Sequence, residues 1–158
     1  MSQACGKIPT PDDSGFIVQT ALEAIRRYGN IWQGDIGEAA ATVYAAEVLN
    51  LRQEKFDPRN TGFDNVMRNS SGKLVIIESK ATKASGVSSL GHTNYGREGS
   101  VTWVKHKAEQ MCDETSSFYS EANAKIGAEI LRVGPENVEF VVVHIDPVST
   151  EVDVTKLR

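Results

Sequence analysis

The chain is poor in cysteine and has no long apolar run. Only Cys5 and Cys112 occur among the 158 residues, too few and too far apart for a disulfide framework or a paired-cysteine metal site. No stretch approaches the ~18 apolar residues that a transmembrane helix needs. The polar start of the chain also lacks the apolar segment of a secretory signal. These absences predict a domain with no membrane segment and no signal peptide, which acts in a cytoplasm.

Two common catalytic signatures are missing as well. The glycines between residues 84 and 100 are not followed by the Gly-Lys-Ser or Gly-Lys-Thr that a phosphate-binding loop needs. The serines in this stretch have no specific partner histidine, which argues against a serine hydrolase. Four glycines and four serines among these seventeen residues instead predict a polar, mobile flap.

The composition is otherwise that of an ordinary globular domain. Hydrophobic residues make up 40% of the chain and charged residues 24%. A chain of this length buries enough surface to fold without metal or disulfide cross-links. We therefore expect one domain over residues 1–158, in which residues 1–13 form a polar leader that need not be ordered.

The formal net charge of −4 conceals an uneven distribution. Residues 68–107 contain seven basic and two acidic side chains, a balance of +5, so the rest of the chain carries −9. Such asymmetry is typical of a basic face on an acidic body, although ordinary scatter also produces it in a segment this short. The total charge argues only against a protein that coats nucleic acid with its whole surface.

The hydrophobic pattern changes between the helical period and the strand period along the chain. Apolar residues at helical spacing predict four helices, over about 14–28, 35–50, 100–113 and 116–133. Alternating or continuous apolar runs predict five strands, over 51–57, 65–68, 73–81, 138–145 and 151–154. The helical spacing places Val43, Val101 and Val133 on inward faces. The element order predicts an α/β domain with a central mixed sheet of four or five strands, flanked by helices.

The strand over residues 73–81 carries the most informative pattern. It is strongly apolar and ends in Glu78-Ser79-Lys80. Because strand side chains alternate, Glu78 and Lys80 project from the same face. Two charges there are costly to bury unless they are paired or bound to an ion. A tight turn over residues 69–72 places Asp64, at the start of the neighbouring strand, within reach of Glu78.

Two neighbouring carboxylates repel each other unless a positive charge lies between them. A divalent cation supplies that charge, and hard oxygen ligands favour Mg²⁺ or Mn²⁺ over Zn²⁺. Lys80 would then stand beside the metal, where it can position a water molecule or stabilise charge on a phosphate. The alternative is a structural ion pair between Glu78 and Lys80 that binds no metal.

Glu38 adds a further acid near the start of the second predicted helix. Asp35 as N-cap and Glu38 three residues later form a capping box, and a first-turn acid suits the helix dipole. A role for Glu38 at the metal site is the alternative interpretation.

Together these residues resemble the core of the PD-(D/E)xK nuclease superfamily, which has the restriction-endonuclease-like fold. The helix acid is Glu38, the strand acid is Asp64, and the Glu-x-Lys motif is Glu78-Ser79-Lys80. One departure is that Phe63, rather than proline, precedes Asp64.

Within that superfamily, the chain is most similar to nuclease domains of bacterial polymorphic toxins, such as those of contact-dependent inhibition systems. The likeness rests on Gly37-Glu38, on the glycine-rich loop and on Ser100-Val101-Thr102-Trp103. It covers about residues 33–112.

The resemblance implies a role for each residue of the motif. Asp64 and Glu78 would be metal ligands, with the Ser79 carbonyl as a backbone ligand and Glu38 as a supporting catalytic acid or ligand. Lys80 would be the catalytic lysine. The basic segment would hold the phosphates that flank the cleaved bond, through Lys83, Arg97, Lys105 and Lys107. Lys105 and Lys107 cannot both face the substrate from one helix.

The resulting hypothesis is a Mg²⁺-dependent endonuclease that hydrolyses phosphodiester bonds of DNA or of RNA such as tRNA. As a toxin domain it would act in the cytoplasm of a target cell and have a cognate immunity protein as partner. A stand-alone restriction or repair nuclease is one alternative. The other is a catalytically silent module that binds nucleic acid or protein.

The remaining candidates favour structural roles. His92 and His106 are expected at the surface, and His144 is typical of a hydrogen-bonded strand histidine. Trp103 could stack on a base, but its place beside Val104 near a helix start favours packing.

Overall fold

The structure is a computed structural model that describes residues 33–58, 63–80, 90–145 and 152–158. Its helices are α1 (Gln33–Glu47), α2 (Val101–Cys112) and α3 (Glu121–Val133). Its strands are β1 (Arg52–Gln53), β2 (Asn65–Arg68), β3 (Leu74–Lys80), β4 (His92–Thr93), β5 (Gly96–Arg97), β6 (Glu139–Ile145) and β7 (Val152–Lys156). The predicted leader, the predicted helix over 14–28 and Lys83 lie outside the described residues.

The main sheet is mixed and five-stranded, in the order β1-β2-β3-β6-β7. β3 pairs antiparallel with β2 and parallel with β6, while the two edge pairings are antiparallel. Parallel neighbours need a crossover connection, and the chain between β3 and β6 provides it with α2 and α3. The α/β class and the five-stranded mixed sheet are therefore confirmed.

The turn between β2 and β3 is fixed by Asn69 and Gly72. The Asn69 side-chain oxygen accepts the amides of Ser71 and Lys73, at 2.9 and 3.0 Å. Gly72 has a φ of 79°, a conformation that favours glycine. This turn sets the β2–β3 register in which Asn65 lies opposite Ile77.

Helices cover both faces of the sheet. One face carries Leu74, Ile76 and Val142 and packs against α2 and α3. The other face carries Val75 and Ile77 and packs against the small residues of α1. Alternating side chains of the same strands thus pack into two separate cores. Because both faces of β3 are buried, its sequence is a continuous apolar run.

Helix starts are set by side-chain caps. Ser100 accepts the Trp103 amide at 3.2 Å, and Ser120 accepts the Asn123 amide at 3.0 Å. Ser120 is the reason that α3 begins at Glu121, several residues later than the predicted start at 116. No helix in the described ranges is long and apolar enough to cross a membrane.

Several local predictions were wrong. α1 begins at Gln33, so Asp35 lies inside the helix and is not its N-cap. The predicted strand over 51–57 forms ladder pairs only at β1. Residues 90–100 of the expected flap contain the β4–β5 hairpin. Three valines that were predicted to face inward are exposed: Val43, Val101 and Val133. Helical spacing groups apolar residues on one side of a helix, but it does not show which residues at the margin of that side are covered.

Candidate active site at one end of the sheet

Asp64 takes the place of a ladder partner immediately before the start of β2. The β2–β3 register would put residue 63 opposite Ser79, but the pairing stops at Asn65. The Asp64 carboxylate instead accepts the Ser79 amide at 2.7 Å and the Ser79 hydroxyl at 2.9 Å, both at Oδ2. Since the N–H and C=O of a strand residue point to the same edge, the Ser79 carbonyl also faces this gap.

Phe63 anchors Asp64 from the preceding position. Its ring is buried and lies 5.5 Å from the Trp103 ring, centroid to centroid. Trp103 is itself buried against Phe140, so the packing role expected for Trp103 is confirmed. A buried aromatic residue therefore fixes the chain immediately before Asp64.

Glu78 and Lys80 share the face of the sheet that α2 and α3 cover. Glu78 pairs in register with Val142, a member of that core. The Lys80 ammonium lies 3.0 Å from Glu78 Oε1. The predicted common face is confirmed, and the two charges do form an ion pair.

Glu98 is the second acid beside Lys80, and it comes from the β4–β5 hairpin. Its Oε2 lies 3.5 Å from the Lys80 ammonium. Its Oε1 accepts the Gly91 amide at 2.8 Å, next to a backbone bond from the Glu98 amide to the Gly91 carbonyl. Sequence reasoning missed Glu98, although it is the only acid besides Glu78 in the basic segment 68–107, and that isolation was the available signal.

Glu78 is the most constrained of the site carboxylates. It is 4% exposed, and no described residue donates a hydrogen bond to its Oε2. Burial, and then repulsion from Asp64, raise the pKa of Glu78 to about 8 against the opposing attraction of Lys80. Glu78 Oε2 is thus buried without a donor, and a proton or a cation at this oxygen would offset the cost of its burial.

Lys80 remains a cation in this setting. Burial alone would lower the pKa of Lys80, but attraction to Glu78, Glu98 and Asp64 outweighs it and raises that pKa above its ordinary value. Lys80 therefore acts as a fixed positive charge rather than as a free amine.

Glu38 lies on the other side of the sheet from Glu78 and Lys80. It is half-buried and shares a helical stripe with Ala41 and Ala45, which pack on the Ile77 face. Because α1 is followed directly by β1, which starts level with Leu74, its N-terminal half runs toward the Ser79 end of β3. Glu38 thus approaches the Ser79 end of the sheet, on the face opposite Glu78 and Lys80.

The donor set suits a small, hard cation held by few protein ligands. Mg²⁺ is typically bound through one or two carboxylates and keeps several waters. Glu78 offers an oxygen without a donor, Asp64 a second carboxylate, and Ser79 a carbonyl at the same edge. Across the described ranges, no three acidic, histidine or cysteine side chains converge as a metal cluster.

The basic residues expected to hold phosphates differ in their surroundings. Lys105 is exposed and lies 3.8 Å from Glu109, one helical turn away. The Lys107 ammonium lies over the Trp103 and Phe118 rings, at 5.8 and 4.9 Å from their centroids. Burial lowers the pKa of Lys107, and the nearby Glu98 opposes that shift. Arg97 is half-buried in the hairpin.

All three histidines lie within the described ranges. His92 is exposed on β4, as expected, whereas His106 is half-buried rather than at the surface. The His106 ring stacks on Tyr95 of the hairpin, with 3.4 Å between ring centroids. His144 is buried on β6 and lies in register with Lys80, on the same face of the sheet. His106 therefore attaches the hairpin to α2, and His144 belongs to the surroundings of the lysine.

No protein-family model, curated protein or solved structure matches the chain at a significant level.

Proposed function

We propose that the chain is a metal-dependent nuclease that hydrolyses phosphodiester bonds, with a restriction-endonuclease-like arrangement of its sheet. The observation that carries the proposal is the buried Glu78 carboxylate, which has one oxygen on Lys80 and one without a donor. Asp64 and the Ser79 carbonyl lie at the same end of the sheet. Two acids and a lysine at the end of a central strand form the arrangement that the Glu-x-Lys motif predicts.

Glu78, Asp64 and the Ser79 carbonyl would hold Mg²⁺ or Mn²⁺, with Glu38 approaching from α1. When bound, the cation supplies positive charge to the phosphate and lowers the pKa of a water molecule. Phosphate ester hydrolysis is extremely slow without catalysis, so charge neutralisation of this kind is needed.

The protein's own residues supply the rest of the electrostatics. Lys80 is held as a cation and can stabilise charge that develops on a phosphate oxygen. The pairing of Asp64 with the Ser79 amide and hydroxyl fixes the orientation of that carboxylate. A preorganised site of this kind needs little rearrangement during the reaction.

The biological setting proposed with this activity is interbacterial competition. The domain would be the toxin part of a delivered polypeptide, act on DNA or RNA of the target cell, and be neutralised by a cognate immunity protein. The support is the similarity of its motifs to polymorphic toxin nucleases. A stand-alone restriction or repair nuclease would use the same site.

A catalytically silent module is the second candidate. Its support is that Lys80 already contacts both Glu78 and Glu98, and that the described residues contain no three-ligand metal cluster. In that case the three charges form a structural ion-pair network, and the protein binds nucleic acid or protein without cleaving it.

Cleavage assays with supercoiled plasmid DNA and with total tRNA, each with and without Mg²⁺, test the proposal. We expect Mg²⁺-dependent cleavage of one substrate by the wild type. Glu78→Ala or Lys80→Ala should lower the rate by ~10² or more, because each removes a charge that acts on the transition state. Glu109→Ala is the matched control, since that exposed carboxylate lies on α2 and has no part in the proposed site.

Calorimetric titration with Mg²⁺ separates the two candidates. Binding that is lost in Glu78→Ala supports the nuclease, whereas no binding and no cleavage by folded wild type support the silent module. Wild-type cleavage by an Asp64→Ala/Glu78→Ala double variant would contradict the assignment of the site.

A further inference from the structure

We propose that Glu98 is a positioning residue, which holds the Lys80 ammonium in place when the Glu78 carboxylate binds a cation. This inference rests on the proposed function and adds a residue that the Glu-x-Lys motif does not contain. Glu98 comes from the hairpin, far from the motif in sequence, yet it lies within 3.5 Å of the motif lysine.

The two carboxylates beside Lys80 are held differently. Glu78 uses Oε1 for Lys80, and its buried Oε2 has no donor among the described residues. Glu98 uses Oε2 for Lys80 and Oε1 for the Gly91 amide. Both oxygens of Glu98 therefore have partners, which fixes the orientation of its carboxylate. Glu78 has one oxygen that can still bind another positive species.

This difference becomes important when the Glu78 carboxylate binds a divalent cation. A carboxylate that binds a divalent ion attracts a neighbouring ammonium less strongly, and the ion itself repels that ammonium. Lys80 then needs a second acceptor to remain at the reacting phosphate. Glu98 is that acceptor, because its position is set by the hairpin backbone and not by Glu78.

The hairpin is itself attached to the helical layer. Tyr95 stacks on His106 of α2, and the Thr93 hydroxyl donates to the Gly96 carbonyl at 2.6 Å. Ser100, two residues after Glu98, caps α2. The carboxylate is thus fixed from both sides of its position in the chain.

Glu98→Gln tests the role with little change of shape. The amide oxygen of glutamine can still accept the Gly91 N–H, while the charge that faces Lys80 is lost. We expect kcat for Mg²⁺-dependent cleavage to fall about tenfold or more, with KM for the nucleic acid within about twofold, because misplacing a reacting group affects the chemical step. Glu109→Gln removes the same charge from the exposed face of α2 and should match the wild type.

A measurement without catalysis separates positioning from a structural role. In ¹⁵N spectra of the Lys80 ammonium, wild type and Glu109→Gln should give a slowly exchanging signal that Glu98→Gln broadens or abolishes. Hydrogen exchange of the Gly91 amide should be unchanged in Glu98→Gln and faster in Glu98→Ala, which loses both contacts.

The outcomes distinguish this inference from the proposed function. Absence of cleavage by folded wild type with either nucleic acid overturns the proposed function, and the positioning role with it. Cleavage by wild type together with an unchanged kcat or an unchanged Lys80 signal in Glu98→Gln overturns only the positioning role.

Discussion

Glu78 experiences burial and charge that act in opposite directions. Its carboxylate is 4% exposed and faces Asp64, Lys80 and Glu98, with His144 on the neighbouring strand. Burial favours the protonated acid, whereas Lys80 favours the carboxylate. A group held in this way costs stability when it ionises, which is a common property of residues that a site keeps for binding rather than for folding.

The pH dependence of stability should report this cost. Glu78 has an ordinary value of 4.5 and a folded-state pKa of about 8, so the unfolded chain releases the proton first. The free energy of unfolding should therefore fall as pH rises between these values, by about 2–4 kcal/mol from this group. The raised pKa of Lys80 acts only at higher pH.

Urea denaturation of wild type and Glu78→Gln at pH 5, 6, 7 and 8 measures this contribution. Glutamine cannot ionise, so the decline should be shallower in Glu78→Gln by that amount. Glu109→Gln, at an exposed position, should follow the wild type. Parallel pH profiles for all three proteins would contradict the assignment of the cost to Glu78.

At the scale of elements, the α2–α3 pair forms the layer over Glu78 and Lys80. Gly127 allows the two helices to approach closely, because a Cβ at this position would lie 2.6 Å from the Ala108 carbonyl oxygen and 3.0 Å from Cys112 Sγ. The first of these atoms belongs to the backbone and cannot rotate away. The distance between α2 and α3 therefore depends on this glycine. That distance in turn affects how the two helices cover the sheet face that carries Glu78 and Lys80.

Gly127→Ala separates helix propensity from packing. Propensity alone would stabilise α3 by about 1 kcal/mol, whereas the clash should reverse the sign and destabilise the protein by about 1–3 kcal/mol. Thermal and urea denaturation measure the difference. Ala128→Gly, at the adjacent exposed position, is the control for propensity and should cost about 1 kcal/mol. A stabilised Gly127→Ala would show that the helices are not in close contact.

At the scale of the molecule, the basic residues of segment 68–107 do not form one uniform face. Arg68 lies at the end of the sheet where β3 begins. Its guanidinium nitrogens lie 2.6 Å from the Glu54 carboxylate and 3.1 Å from the Glu129 carboxylate. Lys80 lies at the other end, roughly 20 Å away at ~3.3 Å per residue. The balance of +5 is therefore divided between two ends of the sheet and partly neutralised by ion pairs.

The proposed binding to nucleic acid should accordingly depend only moderately on salt. Each phosphate contact contributes about −0.9 to the slope of log K against log salt, so seven contacts would give about −6. Because Arg68, Lys80 and Lys105 are ion-paired, we expect a slope of about −3 or shallower. Fluorescence anisotropy with a labelled oligonucleotide in EDTA measures it. A slope near −6 would show that all seven cations contact phosphates.

The sequence by itself determined the α/β class, a mixed sheet of four or five strands, and the common face of Glu78 and Lys80. These features follow from local periodicity and from short turns, which the residues in each segment specify. Asp64 was placed correctly at the start of β2, beside the end of β3, because the turn at Asn69 fixes the register. The buried packing of Trp103 also followed from its local pattern.

Only the tertiary structure decided which other groups meet this end of the sheet. Glu98 reaches Lys80 because the β4–β5 hairpin, within the crossover connection, packs against α2. Glu38 approaches the Ser79 end because α1 covers the opposite face. Such contacts join segments far apart in sequence, and their free energy comes from packing and charge between layers. The isolation of Glu98 among basic residues marks that acid in the sequence, but no local pattern shows that Lys80 is its partner.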